Sequence, residues 1–141
     1  MFRSLALALA VVIGSAALMY ASHHDADGEK VKVLSANDIV EKLNGKEGMA
    51  TVVEVSIAPG QGGVPHRHPG SAIGYVLEGE YELGIDDKPT KVIKAGETFY
   101  EPAGCLHRVS RNPGKVNTRL IAVVLHPRSN KEIAVPEPAK P

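Results

Sequence analysis

The chain has 141 residues, enough for one domain with a real core and too few for two ordinary ones. Its 16 Lys+Arg balance 16 Asp+Glu, so no summed field draws in nucleic acid or an anionic membrane surface. Cys105 is the sole cysteine, which excludes an intramolecular disulfide and leaves stability to packing and to any bound metal.

Met1-Phe2-Arg3-Ser4 supplies a short positive start, and Leu5 to Met19 is almost wholly Ala, Leu, Val and Ile, broken by Gly14 and Ser15. This layout predicts an export signal over residues 1–21, cut after Ala17 or Ala21, and a periplasmic or secreted product. The alternative is an uncleaved membrane anchor, for which the apolar run is slightly short. Ser22 to Lys30 is polar and reads as a tether. Cleavage after Ala21 places His24 third from a free amine, a spacing that holds Cu²⁺ or Ni²⁺ in a square plane. Ser35 or Asn37 as a cap, with Ile39, Val40 and Leu43 as an apolar side, predicts a short helix from about Asn37 to Leu43. Residues 22–48 are thus expected to be a tether and a short helix.

From Met49 onward the period drops to two. Val53, Val55 and Ile57 share one face, and Glu54 and Ser56 the other. Tyr75 to Leu77, Tyr81 to Ile85, Lys91 to Ile93, Thr98 to Glu101, Leu106 to Val109 and Arg119 to Leu125 read as further strands. Turn signals separate them: the glycine-rich run from Pro59 to Gly63, Glu78-Gly79, Asp86-Asp87, Ala95-Gly96, Pro102-Ala103-Gly104 and Asn112-Pro113-Gly114. Many short strands with such turns predict an all-β sandwich or closed barrel over residues 49–126. Tyr75, Tyr81 and Tyr100 are expected in its core, each hydroxyl at an edge. Residues 127–141 are proline-rich and are expected to wrap the surface or hang free.

The chemistry concentrates in histidine. His66 and His68 are one residue apart, and in extended chain side chains at i and i+2 project to the same side, within reach of one cation. Arg67 between them should point away, into solvent. His107 follows the Pro102-Ala103-Gly104 turn, where a barrel can bring it across from the pair. Glu101 shares a strand face with Phe99. An inward stance would let it ligate an ion, orient a histidine or act as a catalytic base. No phosphate-binding loop, G-x-S-x-G serine or H-E-x-x-H helix is present.

The stretch Gly60-Gln61-Gly62-Gly63-Val64-Pro65-His66-Arg67-His68, continuing to Glu78-Gly79, resembles the first motif of the cupin superfamily. Gly96-Glu97-Thr98-Phe99-Tyr100-Glu101-Pro102-Ala103-Gly104-Cys105-Leu106-His107, followed by Asn112, resembles the second. The resemblance implies a cupin β-barrel, the jelly roll or double-stranded β-helix, with His66, His68 and His107 as metal ligands. It departs at two points. The first-motif glutamate should fall at position 72, where this chain has Ala72, and the second-motif asparagine arrives one residue late, at Asn112.

Three neutral imidazoles leave an octahedral ion open positions and its full double charge, which favours an anionic or chelating ligand. The resemblance thus implies Fe²⁺ or Mn²⁺, with Ni²⁺, Cu²⁺ or Zn²⁺ as alternatives, and a small polar or anionic substrate. A dioxygenase is the first expectation and an isomerase the second, with Glu101 as candidate catalytic residue. The alternative class is a non-catalytic exported protein that binds a metal or small ligand. Pairing through strand edges, as cupins often do, makes a homodimer the expected assembly.

Overall fold

The computed structural model describes residues 28–138. The expected export signal and the Ser22-His23-His24 segment lie outside the described residues. Among the described residues, strand-forming alternation produces ten strands: β1 (Glu29–Leu43), β2 (Lys46–Ile57), β3 (His66–Arg67), β4 (Ser71–Glu78), β5 (Glu80–Ile85), β6 (Lys91–Lys94), β7 (Thr98–Glu101), β8 (Leu106–Arg111), β9 (Thr118–Pro127) and β10 (Val135–Pro136). They form two antiparallel five-stranded sheets, ordered β1-β2-β9-β4-β7 and β10-β3-β8-β5-β6. The architecture is the all-β jelly roll expected from the sequence.

The two sheets close on a core drawn from alternate positions. Val53, Val55 and Ile57 of β2, Val76 of β4, Phe99 of β7 and Leu120 of β9 face Tyr81, Leu83 and Ile85 of β5. Period-two alternation puts every second residue of each strand inward, which is why Ala72 and Glu101 are also buried. The same alternation corrects one expectation. Tyr81 is a core residue, but Tyr75 and Tyr100 are 44% and 58% exposed on the outer face, because Val76 and Phe99 beside them take the inward positions.

The helix expected from Asn37 to Leu43 is instead the second half of β1, paired with β2 from Asn37↔Ala50 to Leu43↔Lys46. Seven residues are too few for a helix to repay its nucleation cost. Asn44 and Gly45 both adopt positive φ (51° and 74°), the geometry of a tight hairpin turn, and that turn folds the segment back as a strand. Val40, assigned to an apolar side, is 93% exposed. Strands therefore extend beyond residues 49–126 on both sides. The described part of the proline-rich tail, up to residue 138, wraps the surface, and its β10 adds a strand beside β3.

Asn112 explains the asparagine of the second motif. It is fully buried, and its Nδ2 donates to the carbonyls of Ile57 (2.9 Å) and Val116 (2.7 Å) while Oδ1 accepts from the Gly114 amide (2.9 Å). Its own backbone joins the glycine-rich loop, through the Gly60 amide to its carbonyl and its amide to the Gln61 carbonyl. Asn112→Ala strands the buried Ile57 carbonyl and two partly buried loop groups, and should destabilise the fold by about 2 kcal/mol in urea unfolding.

Candidate metal centre

The site is assembled where β3 meets β8. His66 and His107 are directly opposed partners in the antiparallel pair, and His68 follows His66 by two residues on the same side. The turn before β8 is clipped to the histidine segment: the Gly104 amide donates to the His68 carbonyl (3.0 Å). Gly104 has φ of 74°, the left-handed region that glycine enters without strain, so the turn can approach this closely. Arg67 points away from the histidines, as expected. It is not loose in solvent, however. Its guanidinium makes a two-point ion pair with Glu137 (2.8 and 3.1 Å) and donates to the Gly104 carbonyl (2.9 Å).

Each ring has one nitrogen engaged on the far side. His66 Nδ1 donates to the Val64 carbonyl at 2.8 Å, and His68 Nδ1 donates to the Ile133 carbonyl at 2.5 Å. A carbonyl only accepts, so each contact fixes the proton on Nδ1 and leaves Nε2 with a free lone pair. His107 is set by a longer chain. Glu29 accepts from the Ser110 hydroxyl (2.8 Å), Ser110 accepts from Tyr81 (3.2 Å), and Tyr81, its proton so committed, accepts from His107 Nε2 (3.1 Å). That chain leaves the lone pair of His107 on Nδ1.

The free lone pairs converge. His66 Nε2 is 3.2 Å from His68 Nε2 and 3.2 Å from His107 Nδ1. The three ligand atoms lie within 4.8 Å of one another. Glu101 joins them, its Oε2 3.2 Å from His107 Nδ1 and 3.4 Å from His68 Nε2. Atoms about 2.1 Å from a shared ion are separated by about 3.0 Å at right angles and about 3.4 Å at the tetrahedral angle. Acceptors crowded to those distances with no proton between them repel one another, and a cation relieves the repulsion. The donor set therefore fits a divalent transition metal, and imidazole suits several of them.

The electrostatics agree. Burial is the main force on His66 and, with the His107 charge, pushes its imidazole down to about 4, against the Val64 hydrogen bond. Burial also presses on His68, but hydrogen bonding and charge from Glu101 raise it above the usual histidine value. For Glu101 burial opposes ionisation, yet hydrogen bonding and charge from His107 and His68 hold the carboxyl down at about 2. Those hydrogen bonds need a proton on a ring nitrogen facing Glu101. In the tautomers set by Ile133 and Tyr81 neither nitrogen carries one, and Oε2 is a buried oxygen without a hydrogen-bond partner. Ionised, the carboxylate calls for positive charge beside it, either a proton on a facing histidine or a bound cation.

All four residues singled out from the sequence thus meet at one point. Cys105 does not join them; it is half-buried against the core. His126 is buried with its own partners, Thr51 (2.8 Å) and the Pro127 carbonyl (3.0 Å). Sequence reasoning missed Tyr81, Ser110 and Glu29, whose spacing carries no signal. Serine and glutamate at alternating, inward strand positions were the available hint. Tyr81→Phe removes the acceptor that fixes His107, and should weaken Co²⁺ binding by about 10-fold in a chelator competition while the far-ultraviolet circular dichroism stays unchanged.

A cupin-domain family profile matches residues 53–124, more than half of the chain. Over 82 residues the chain is 39% identical to germin-like protein subfamily 2 member 2 of Arabidopsis thaliana, covering 54% of this chain and 37% of that protein. Over 90 residues it is 34% identical to oxalate oxidase GF-3.8 of Triticum aestivum, covering 58% and 39%. The chain thus matches less than two-fifths of either plant protein. Among solved structures, an oxalate oxidase in complex with the substrate analogue glycolate superposes with a TM-score of 0.57 at 28% identity, over 77% of this chain and 54% of that one. A double-stranded β-helix protein from Klebsiella pneumoniae superposes with a TM-score of 0.61 at 22% identity, over 80% and 88%, a likeness of fold alone. With its two sheets, its paired histidine motifs and the matched span between them, this chain belongs to the cupin family.

Proposed function

We propose that the protein is a metal-dependent enzyme acting on a small carboxylate, with Mn²⁺ or Fe²⁺ as its ion and export as its destination. The observation that carries the reading is the convergence of three protonless imidazole nitrogens in a buried site. Kinship with oxalate oxidase supports a small anionic substrate, and imidazoles with a carboxylate beside them suit iron or manganese. The apolar run from Leu5 to Met19 behind Arg3 supports export.

A divalent ion held by His66, His68 and His107 supplies a Lewis-acidic centre and, as manganese or iron, a redox-active one. The protein's own groups do the rest. Val64, Ile133 and Tyr81 hold the rings so that each presents a lone pair. His68 is the histidine nearest solvent, its side chain 12% exposed against 3% for His107, so a ligand approaches on its side. The tyrosines furnish no broad stacking platform there: Tyr81 is packed on Phe99 with ring centres 5.2 Å apart, and Tyr75 and Tyr100 face outward. A compact acid suits such a site better than a polycyclic one.

The test is oxygen uptake and product formation by the Mn²⁺- or Fe²⁺-loaded protein offered oxalate, glycolate and related small acids. Turnover of one of them, lost in His107→Ala, is the expected result. Tight retention of an acid without turnover by any loaded form would overturn the enzymatic reading and leave a binding protein.

A further inference from the structure

Ala72 and Glu101 are directly paired across β4 and β7. Both are inward-facing and almost wholly inaccessible, at 1% and 2% exposure. Opposed residues of an antiparallel pair have their Cβ atoms about 5 Å apart, so side chains at the two positions reach the same volume from adjacent strands. We propose that Glu101 is the fourth protein ligand of the metal, supplying from β7 the carboxylate that the resemblance places at position 72 on β4. This inference rests on the metal reading of the three histidines and adds a residue to their set.

Two other roles fit the geometry less well. A general base needs its oxygen turned toward open space where a substrate proton can lie. Oε2 instead sits among the ligand nitrogens, 3.2 and 3.4 Å from two of them. A residue that only orients a histidine accepts that histidine's N–H on the side away from the ion. Those far-side positions are already filled by Val64, Ile133 and Tyr81, and Glu101 is on the near side. Its buried oxygen with no hydrogen-bond donor is the feature ligation explains. Ala72 matters as much by its size: a larger side chain there would compete with Glu101 for the same space.

The two strand positions make the inference separable from the metal reading. Co²⁺ affinity, measured by chelator competition, and the visible spectrum of the Co²⁺ protein are compared in wild type, His68→Ala, Glu101→Gln, Glu101→Ala and the exchange Glu101→Ala with Ala72→Glu. Glu101→Gln is expected to lose more than about 100-fold in affinity, beyond the ~10–100-fold that loss of an outer hydrogen-bond partner costs. The exchange is expected to recover that affinity to within about 10-fold and to restore the wild-type spectrum, which no misfolded variant can do. Wild-type affinity and spectrum in Glu101→Gln, with binding lost in His68→Ala, overturn the fourth ligand and leave the histidine site standing. A loss in Glu101→Gln that the exchange does not recover assigns Glu101 to holding the rings and equally overturns ligation. Unchanged binding in His68→Ala overturns both readings together.

Discussion

Three imidazole rings aim unprotonated nitrogens at one point, and they do so because three acceptors on their far sides hold the protons away. Much of the fold serves that constraint. The Val64 carbonyl comes from the glycine-rich loop, the Ile133 carbonyl from the chain after β9, and the Tyr81 hydroxyl from β5. Gly63 leaves the room the last of these chains requires: a Cβ there would lie 2.2 Å from the Glu29 carboxylate that terminates it. Gly62 and Gly63 are glycines because backbone, not side chain, has to fill the space beside β1 and β8.

With Glu101 as ligand, the sheet supplies a carboxylate to the site from a different strand position than the family motif does. A strand position is one of two addresses for the same volume, since its cross-strand partner reaches the same place. Moving the acid from one address to the other leaves the charge unchanged. An ionised Glu101 lowers the net charge of an occupied site from two to one, still enough to draw in an anionic ligand while weakening its hold on it.

Much of this was legible in the sequence, for identifiable reasons. Period two from Met49 onward reported the sheets, and the i, i+2 spacing of His66 and His68 reported a shared side. Glu101 could be read inward because Phe99 shares its face. The hairpin of β1 and β2 was missed where local spacing mimicked a helical side, although Asn44-Gly45 is a strong turn signal. Tyr75 and Tyr100 were misplaced because an aromatic residue's preference for burial is overridden when its strand neighbours occupy the inward register. The supports of the rings were invisible for a different reason: Ser110 meets Glu29 across 81 residues, and a contact between strands at that separation leaves no periodic trace.

The tail that crosses β3 has a further consequence. His68 and Ile133 are 65 residues apart in the chain, and the closure is secured by Arg67 with Glu137 and by the short β10. Closing contacts between residues so distant in sequence carries a loop-closure entropy cost, which the ion pair and the added strand offset. The ring nearest solvent therefore has its proton placed by a segment far along the chain, so the grip of the pocket on a cation depends on that tail staying docked.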